Sequence, residues 1–504
     1  MNDKHPLYTT TDIRRIEKAA MATLPPRTLM QRAGLAAAHC ALGLLAQESE
    51  RNVLLLAGPG NNGGDAFETS MHLAEAGCHV VVMFAGDAAA LPPDAMQAFH
   101  QAQANRAITM TRPDAGLIGG HSWSLIVDGL FGIGLSKPIQ GLMCTLVDAV
   151  NRVPGPVLAL DVPSGLCADR GVIVGDADGV AIRATHTITF IGDKPGLHTG
   201  DGRDHAGTVY VDTLAIEPAH DVQTKLALNG IAQFETALKP RAQNSHKGSF
   251  GDLIVVGGAI GMVGAAILTG RSAAKCGTGR VFIVSPDDAL AYDPLQPELM
   301  CRPIQPMAFE ATAMAVGPGL GQSRTAHDAL NRAIGASSTL VLDADALNIL
   351  AVEPGLQQKL RSRQAATIIT PHPLEAARLL ACSAHEVQGD RLAAARQLAD
   401  RLQVTAILKG SGTVVALADG RTLVNDTGNA ALATAGAGDV LTGVCGALLA
   451  QGWLPDAAAS GAVWLHGKAA DELVHEGMGP IGLAASELIP QIRLVLNRLV
   501  REHG

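Results

Sequence analysis

Short apolar, β-rich runs recur along the first half of the chain, at residues 53–57, 80–84, 125–128, 157–161 and 187–190, each bounded by Gly, Pro or Asp. Several alternate with segments that suit a helix, such as 66–76 and 142–150. Near-continuous Val/Ile/Leu runs are strands buried on both faces, and their alternation with helices gives parallel βαβ units. Before the first strand the pattern is helical, with Ile13, Ile16, Ala19 and Ala20, then Leu29, Ala33, Leu35 and Ala36, on the expected apolar side. From about 217 to 249 it loosens into Glu-Pro, Lys-Pro-Arg and Ser-His-Lys-Gly, which predicts a connection with a short helix inside it. A second series of strands comes next at 253–256, 281–284, 339–342, 367–369, 406–408 and 414–416, closed by a helix over 439–451 and an amphipathic tail over 488–500. No fixed-period repeat is visible. The expectation is an α/β protein of two doubly wound domains, residues 1–222 and 223–504, each a mostly parallel sheet between helix layers.

Length and charge narrow the function. A chain of 504 residues exceeds what one core usually organises. A formal charge of −9, without a basic block or basic helix, leaves no footprint for nucleic acid or anionic lipid, so any phosphate must be held by backbone N–H groups and a few side chains. The eight cysteines are scattered with no C-x-x-C pair, which fits reduced thiols in the cytoplasm. The start, Met1-Asn2-Asp3-Lys4-His5-Pro6, lacks the apolar segment of a signal peptide, and no uncharged apolar stretch is long enough to span a membrane.

Glycine clusters mark where chemistry is expected. Gly58-Pro59-Gly60-Asn61-Asn62-Gly63-Gly64-Asp65 lies between the strand at 53–57 and a helix, where unoccupied N–H groups and the helix dipole favour an anion. A plain Asn-Gly turn would need neither four glycines nor both asparagines. Asp128 and Asp161 end two strands, so both are expected to face the crevice beside this loop. The alternative for each is a cap on its own following turn. Gly132-Ile133-Gly134-Leu135-Ser136-Lys137-Pro138 adds a flexible wall with one cation, and Pro163-Ser164-Gly165 adds a hydroxyl. Oxygens of Asn62, Asp128 and Ser164 suit a hard cation, whose identity spacing leaves open.

In the second half, Thr434-Ala435-Gly436-Ala437-Gly438-Asp439 precedes an apolar helix. Its N–H groups are expected to form an anion hole with Asp439 in reach of a substrate hydroxyl. Alternatively Asp439 only complements the helix dipole. Lys409-Gly410-Ser411-Gly412-Thr413, after the strand at 406–408, offers a cation, two hydroxyls and a close backbone for a nucleotide phosphate. Thr370-Pro371-His372-Pro373 also comes directly after a strand, and its bland reading is a turn or cap residue. Asp343-Ala344-Asp345, at another strand end, is placed to line the same crevice, with helix capping as the alternative. Gly317-Pro318-Gly319-Leu320-Gly321 is a turn-rich wall.

These strings resemble two enzyme families. The stretch 60–65, Val127-Asp128-Gly129-Leu130-Phe131-Gly132-Ile133-Gly134-Leu135, Leu160-Asp161-Val162-Pro163-Ser164-Gly165-Leu166 and Lys194-Pro195-Gly196-Leu197 together resemble NAD(P)H-hydrate epimerase domains, over about residues 29–216. Ala66 stands where that family usually has glycine. The resemblance implies a Rossmann-like three-layer sandwich. In it Asn61, Asn62, Gly63, Gly64, Asp65, Gly132, Ile133, Gly134, Leu135, Ser136, Lys137, Pro138 and Asp161 bind the hydrated cofactor, and Asn62, Asp128 and Ser164 hold K+. The strings of the second half, with His246-Lys247-Gly248-Ser249-Phe250-Gly251 and Gly264-Ala265-Ala266, resemble the ribokinase-like ADP-dependent NAD(P)H-hydrate dehydratases over about residues 241–499. Ala437 replaces a serine commoner in that family. This resemblance implies a ribokinase-like three-layer sandwich in which Ala265, Gly319, His372 and Asp439 contact the hydrate, while Lys409, Gly410, Ser411, Gly412, Thr413 and Gly438 hold ADP.

The implied activity is repair of NADHX and NADPHX, the hydrated reduced cofactors. The first domain interconverts the R and S epimers with Asp161 handling the proton; the second dehydrates the S form at the expense of ADP, with Asp439 as the base. ADP is a co-substrate accompanied by Mg2+, and the protein is expected to be a cytoplasmic homo-oligomer without nucleic-acid or membrane partners. One alternative is a ribokinase-like small-molecule kinase with a regulatory nucleotide-binding N-terminal domain, which would consume ATP and leave a lasting phosphorylated product. Another is a first domain that only binds an ADP-ribose-like ligand, without interconverting epimers.

Overall fold

The computed structural model describes residues 5–175, 178–217, 222–287, 290–304 and 311–504, and divides them into two compact units, Pro6–Leu226 and essentially Ala227–Gly504. In the first unit seven strands pair in parallel in the order β3-β2-β1-β4-β5-β6-β7. They are β1 (Asn52–Ala57), β2 (His79–Phe84), β3 (Ile108–Thr111), β4 (Leu125–Gly129), β5 (Val157–Leu160), β6 (His186–Phe190) and β7 (Thr208–Asp212). Side chains of a strand alternate between faces, and here both faces are apolar. Val53, Leu55 and Ala57 join one core with the helices Thr28–Leu44, Asn61–Glu75 and Pro93–Ala104. Leu54 and Leu56 join the opposite core, with Leu146, Val147 and Val150 of the helix Leu142–Arg152. Strand order reverses between β1 and β4, and a crevice opens there at the carboxyl ends of the strands.

The second unit is built on ten strands in the order β11-β10-β9-β12-β13-β14-β15-β16-β17-β8. They are β8 (Leu226–Leu228), β9 (Asp252–Val256), β10 (Arg280–Ser285), β11 (Met300–Pro303), β12 (Ala313–Val316), β13 (Thr339–Leu342), β14 (Thr367–Ile369), β15 (Thr405–Leu408), β16 (Thr413–Ala416) and β17 (Thr422–Asn425). Pairing is parallel from β11 to β15 and antiparallel across β15, β16 and β17. Leu253 and Val255 face the helices Val263–Lys275, Ala437–Ala450, Pro455–His475 and Ala485–His503; Ile254 and Val256 face a separate core on the other side. Both units are thus three-layer α/β sandwiches.

Several local expectations need correction. The opening pattern is two helices, Thr10–Met21 and Thr28–Leu44, and Ala19 and Leu35 point to solvent because their register falls off the buried stripe of Ile13, Ile16, Ala33 and Ala37. Asp161 stands just after β5 instead of ending it, with φ +66°. Of the connection expected at 217–249, positions 218–221 lie outside the described residues. Residues 222–238 are not a loose linker: Asn229 N–H bonds to Val424 O, and Phe234 and Leu238 are buried in the second core, whereas 239–249 are exposed. In place of the helix expected there stand short 3-10 turns at Ile231–Gln233, Glu235–Ala237 and Lys247–Phe250.

β12 was not legible in its Ala-Met-Ala-Val sequence, yet it is fully buried at the centre of the sheet. Packing explains the choice of small residues. Gly446 of the helix above has no Cβ, and one built there would stand 2.9 Å from Leu253 and 3.6 Å from Ala315. A bulky β-former at Ala315 would push that helix away.

Candidate active sites

In the first unit the loop after β1 leads into the helix Asn61–Glu75, whose start at Gly60 carries no side-chain cap. Its first N–H groups are therefore available to an anion. The loop lies on a cavity of about 570 Å³ lined also by Asp65, Gly132, Ile133, Gly134, Leu135, Ser136, Lys137 and Asp161. Asn61 and Asn62 belong to the same wall, whereas Gly63, Gly64 and Pro138 do not. Gly63 is needed for another reason: a Cβ there would come within 2.0 Å of Gly58 O, so the turn could not close. A larger groove of about 800 Å³ lies between residues 115–123 and 145–154, which lead into the amino ends of β4 and β5 and not out of their carboxyl ends. The smaller cavity is therefore the candidate site.

Asp161 is the most constrained side chain of this cavity. Its left-handed backbone is costly for most residues and tolerated by Asp. Oδ2 accepts the Ile133 N–H at 3.1 Å and Oδ1 accepts from Lys194 Nζ at 2.7 Å. Lys194 is fully buried, and its ammonium also donates to Thr189 Oγ1 and Phe190 O, at 2.6 and 2.8 Å. All three of its protons are thus engaged. Gly132 keeps this corner open, since a Cβ there would lie 2.8 Å from Asp161 Oδ2. Asp65, on the same wall, has its carboxyl pushed well above the ordinary range by burial first and by the charge of Asp161 next.

Asp128 does not face the cavity. It is fully buried below it, and its oxygens accept from Leu130 N–H at 3.2 Å, Ser164 N–H at 2.8 Å and Ser164 Oγ at 2.6 Å. The capping alternative therefore describes its geometry, because this carboxylate ties two loops together. Burial pushes its pKa up to about 6 against the pull of those bonds. Next to this knot the Asn62 amide is buried with neither Oδ1 nor Nδ2 bonded. A buried unpaired amide calls for a partner. A monovalent cation would satisfy its oxygen, so the chemistry of this corner fits the K+ site expected from Asn62, Asp128 and Ser164. Among the described residues, no group of three or more His, Cys, Asp and Glu side chains could hold a metal ion.

In the second unit, Gly436 with φ +91° precedes the helix Ala437–Ala450, again without a side-chain cap. Asp439 sits in the first turn, and its pKa is raised to about 6 by burial and then by Asp343, with Lys409 opposing. Lys409 Nζ donates to Asp343 Oδ1 at 2.7 Å. Its own pKa is raised: burial pulls it down, and Asp343 and Glu375 more than offset that. Below the 409–413 loop the buried Arg391 donates to the Leu408 and Lys409 carbonyls, both at 3.2 Å, and burial lowers its pKa to about 10. Gly319 and Ala265 come together, since a Cβ on the glycine would lie 3.3 Å from that of the alanine.

His372 is a helix cap: Nδ1 accepts the N–H groups of Leu374 and Glu375 at 3.1 and 3.4 Å, and burial lowers its pKa. Asp343 and Asp345, read as possible caps, do other things. Asp345 Oδ2 accepts the Gly321 N–H at 2.8 Å and so holds the turn-rich wall. Lys194, Thr442 and Arg391 were not singled out for roles by sequence reasoning. Lys194 stood in a motif, but nothing in a sequence says that a lysine will be buried.

Comparison with known proteins agrees with both halves. A family model described as NAD(P)H-hydrate dehydratase matches residues 253–493, and one described as YjeF-related protein N-terminus matches residues 26–196. The bifunctional NAD(P)H-hydrate repair enzyme of Escherichia coli is 37% identical over 98% of this chain and 94% of its own. That of Coxiella burnetii is 36% identical over 97% and 99%. The solved ADP/ATP-dependent NAD(P)H-hydrate dehydratase of Bacillus subtilis, co-crystallised with ATP and Mg2+, is 31% identical and covers 55% of this chain and 98% of its own, with a TM-score of 0.48. With full-length relatives at this identity and both family models in order along it, the chain belongs to the bifunctional NAD(P)H-hydrate repair enzymes.

Proposed function

We propose that the chain interconverts the R and S epimers of hydrated NADH and NADPH in a domain comprising residues 1–222, and dehydrates the S epimer at the expense of ADP in residues 223–504. The observation that carries this reading is that each compact unit has its own uncapped helix start beside a carboxylate, Asp161 in one and Asp439 in the other. In the first site the C6 hydroxyl takes up a proton that Asp161 relays from solvent and leaves as water while the ring nitrogen lone pair forms N=C. Water returns to the other face of C6, and Asp161 accepts its proton and releases it to solvent, so that no net proton is consumed. In the second, Asp439 takes the proton of the C6 hydroxyl as that oxygen attacks the β-phosphoryl group of ADP and AMP leaves. Phosphate then departs with lone-pair help from nitrogen, and loss of a C5 proton gives the reduced cofactor. When bound, K+ would neutralise charge beside the first loop, and Mg2+ would do so on the nucleotide. The 409–413 loop and Gly438 hold the nucleotide; Ala265, Gly319 and His372 contact the hydrate. We place the enzyme in the cytoplasm, which its eight free cysteines support; among the described residues no helix is long and apolar enough to cross a membrane.

The test is to incubate the protein with mixed epimers, with and without ADP, and to follow the absorbance of reduced nicotinamide. Full recovery is expected with ADP; without it, epimers equilibrate and no absorbance returns. Recovery of the S fraction alone would remove the epimerase, and a lasting phosphorylated product formed from ATP would favour a kinase instead.

The cation assignment makes its own prediction. Asp128→Asn keeps one oxygen to accept from Ser164 Oγ and Leu130 N–H, gives up the bond from Ser164 N–H and removes the charge, so epimer interconversion should lose its dependence on K+ while dehydration of the S form is unchanged. Titrating K+ against Na+ in the epimerase assay checks this. Equal parent activity with and without K+ would remove its basis.

A further inference from the structure

The dehydratase site contains an ion pair, Lys409 with the buried Asp343, to whose acidic member the proposed reaction gives no task. Asp343 stands directly after β13 and is 1% exposed. Its place ahead of the helix Ala344–Val352 is that of a cap, yet its side chain makes no cap bond. Oδ1 accepts from Lys409 Nζ at 2.7 Å and Oδ2 accepts from the Thr442 hydroxyl at 2.6 Å. Lys409 comes from the end of β15 and Thr442 from the second turn of the helix Ala437–Ala450. A Cβ on Gly438 would lie 3.3 Å from Lys409 Nζ and 3.9 Å from Asp343 Oδ2. The ammonium therefore rests against the backbone of the anion loop, one residue before Asp439. A flexible lysine stays there only if something holds it. Stability is a weak explanation for the arrangement, since a buried ion pair gains little over apolar packing of the same volume.

We propose that Asp343 is a positioning residue of the dehydratase: together with Thr442 it fixes the Lys409 ammonium beneath Gly438, where that charge faces the transferring phosphoryl group. The inference rests on the dehydratase reading. Negative charge builds on the phosphoryl oxygens as the C6 hydroxyl attacks, and a cation held in place costs no reorganisation at that moment. The same cation favours the ionised form of Asp439, which burial, Asp343 and Asp345 oppose. Around Lys409 itself stand Glu375 and His372 from the edge of the helix Pro373–Leu380, and His466, whose pKa burial lowers to about 4. With His466 neutral above that pH, Asp343, Asp345, Glu375 and Lys409 set the field.

The test uses the full chain with Asp343→Asn, Lys409→Met, Thr442→Val and Thr442→Ser, and reads kcat for dehydration of the S epimer against pH. Dehydration by the parent protein is measured first, and its failure would sink the dehydratase reading, not this inference. Loss of the ammonium should move the acid limb of K409M to higher pH. Loss of the Asp343 charge with the ammonium kept should move that of D343N to lower pH. Both should lose about tenfold or more in kcat, with the KM for ADP in D343N within about threefold of the parent, and T442S should recover what T442V loses. Epimer interconversion should be unchanged in all four. A D343N profile superimposable on the parent's, or a loss confined to the KM for ADP, overturns the proposal and leaves Lys409 as a nucleotide anchor. If D343N does not fold, the Thr442 pair decides: equal kcat in T442V and T442S overturns it.

Discussion

Asp439→Asn should abolish dehydration and leave epimer interconversion at its original rate. The substitution keeps the size of the side chain in the first turn of the helix Ala437–Ala450 and removes only the base. Loss of a positioned acid or base costs on the order of a hundredfold to ten-thousandfold, so absorbance recovery from the S epimer should fall by at least a hundredfold. ADP binding, followed calorimetrically, should survive, because the 409–413 loop is untouched. In the parent enzyme the same group sets a pH limit. Its pKa is raised to about 6, chiefly by burial, and only the ionised form accepts a proton. Dehydration should therefore fall as pH drops through about 6. Were the Asn variant to dehydrate the S epimer at the parent rate, the base and the phosphoryl-transfer mechanism built on it would both be abandoned.

Asp161→Asn should do the reverse: with ADP present the S form is consumed and the R form is stranded. Asn tolerates the left-handed backbone at φ +66° as Asp does, and its Oδ1 still accepts a hydrogen bond, so the loop geometry should persist. The charge is lost, and with it the proton acceptor, for an expected loss of about a hundredfold or more in interconversion, read by chromatography of the two epimers. Stability should also fall, because Lys194 is fully buried and its ion pair with Asp161 would be broken. Adding Lys194→Met separates the two effects. The double variant should regain thermal stability without regaining interconversion. A double variant that recovered both would show that Asp161 acts on folding and not on the proton.

How much of the fold was legible in residue order divides along physical lines. Strands buried on both faces announce themselves as apolar runs, and glycine-rich turns as clusters. β1, β4, β5, β9 and β13, the loops that end them, and the positions of Asp161 and Asp439 could therefore be read from the sequence alone. These are local properties of the chain. β12 could not be read, because its small residues answer to Gly446 and the helix above them. Nor could the edge strands β7 and β11, whose exposed positions dilute the apolar signal.

Within the sites, the sequence by itself determined which side chains were on offer and on which loops. Tertiary structure alone decided what each would face. Asp128 and Asp161 look alike as acids that close strands, yet one is buried beneath the cavity binding two loops together and the other lines it, held by Lys194. Asp343 and Lys409 are 66 residues apart and meet because β13 and β15 flank β14 in one parallel sheet. The reason is general: backbone propensity and periodicity act over a few residues, whereas burial, ion pairing and the pKa of a carboxyl depend on neighbours that only the folded sheet brings together.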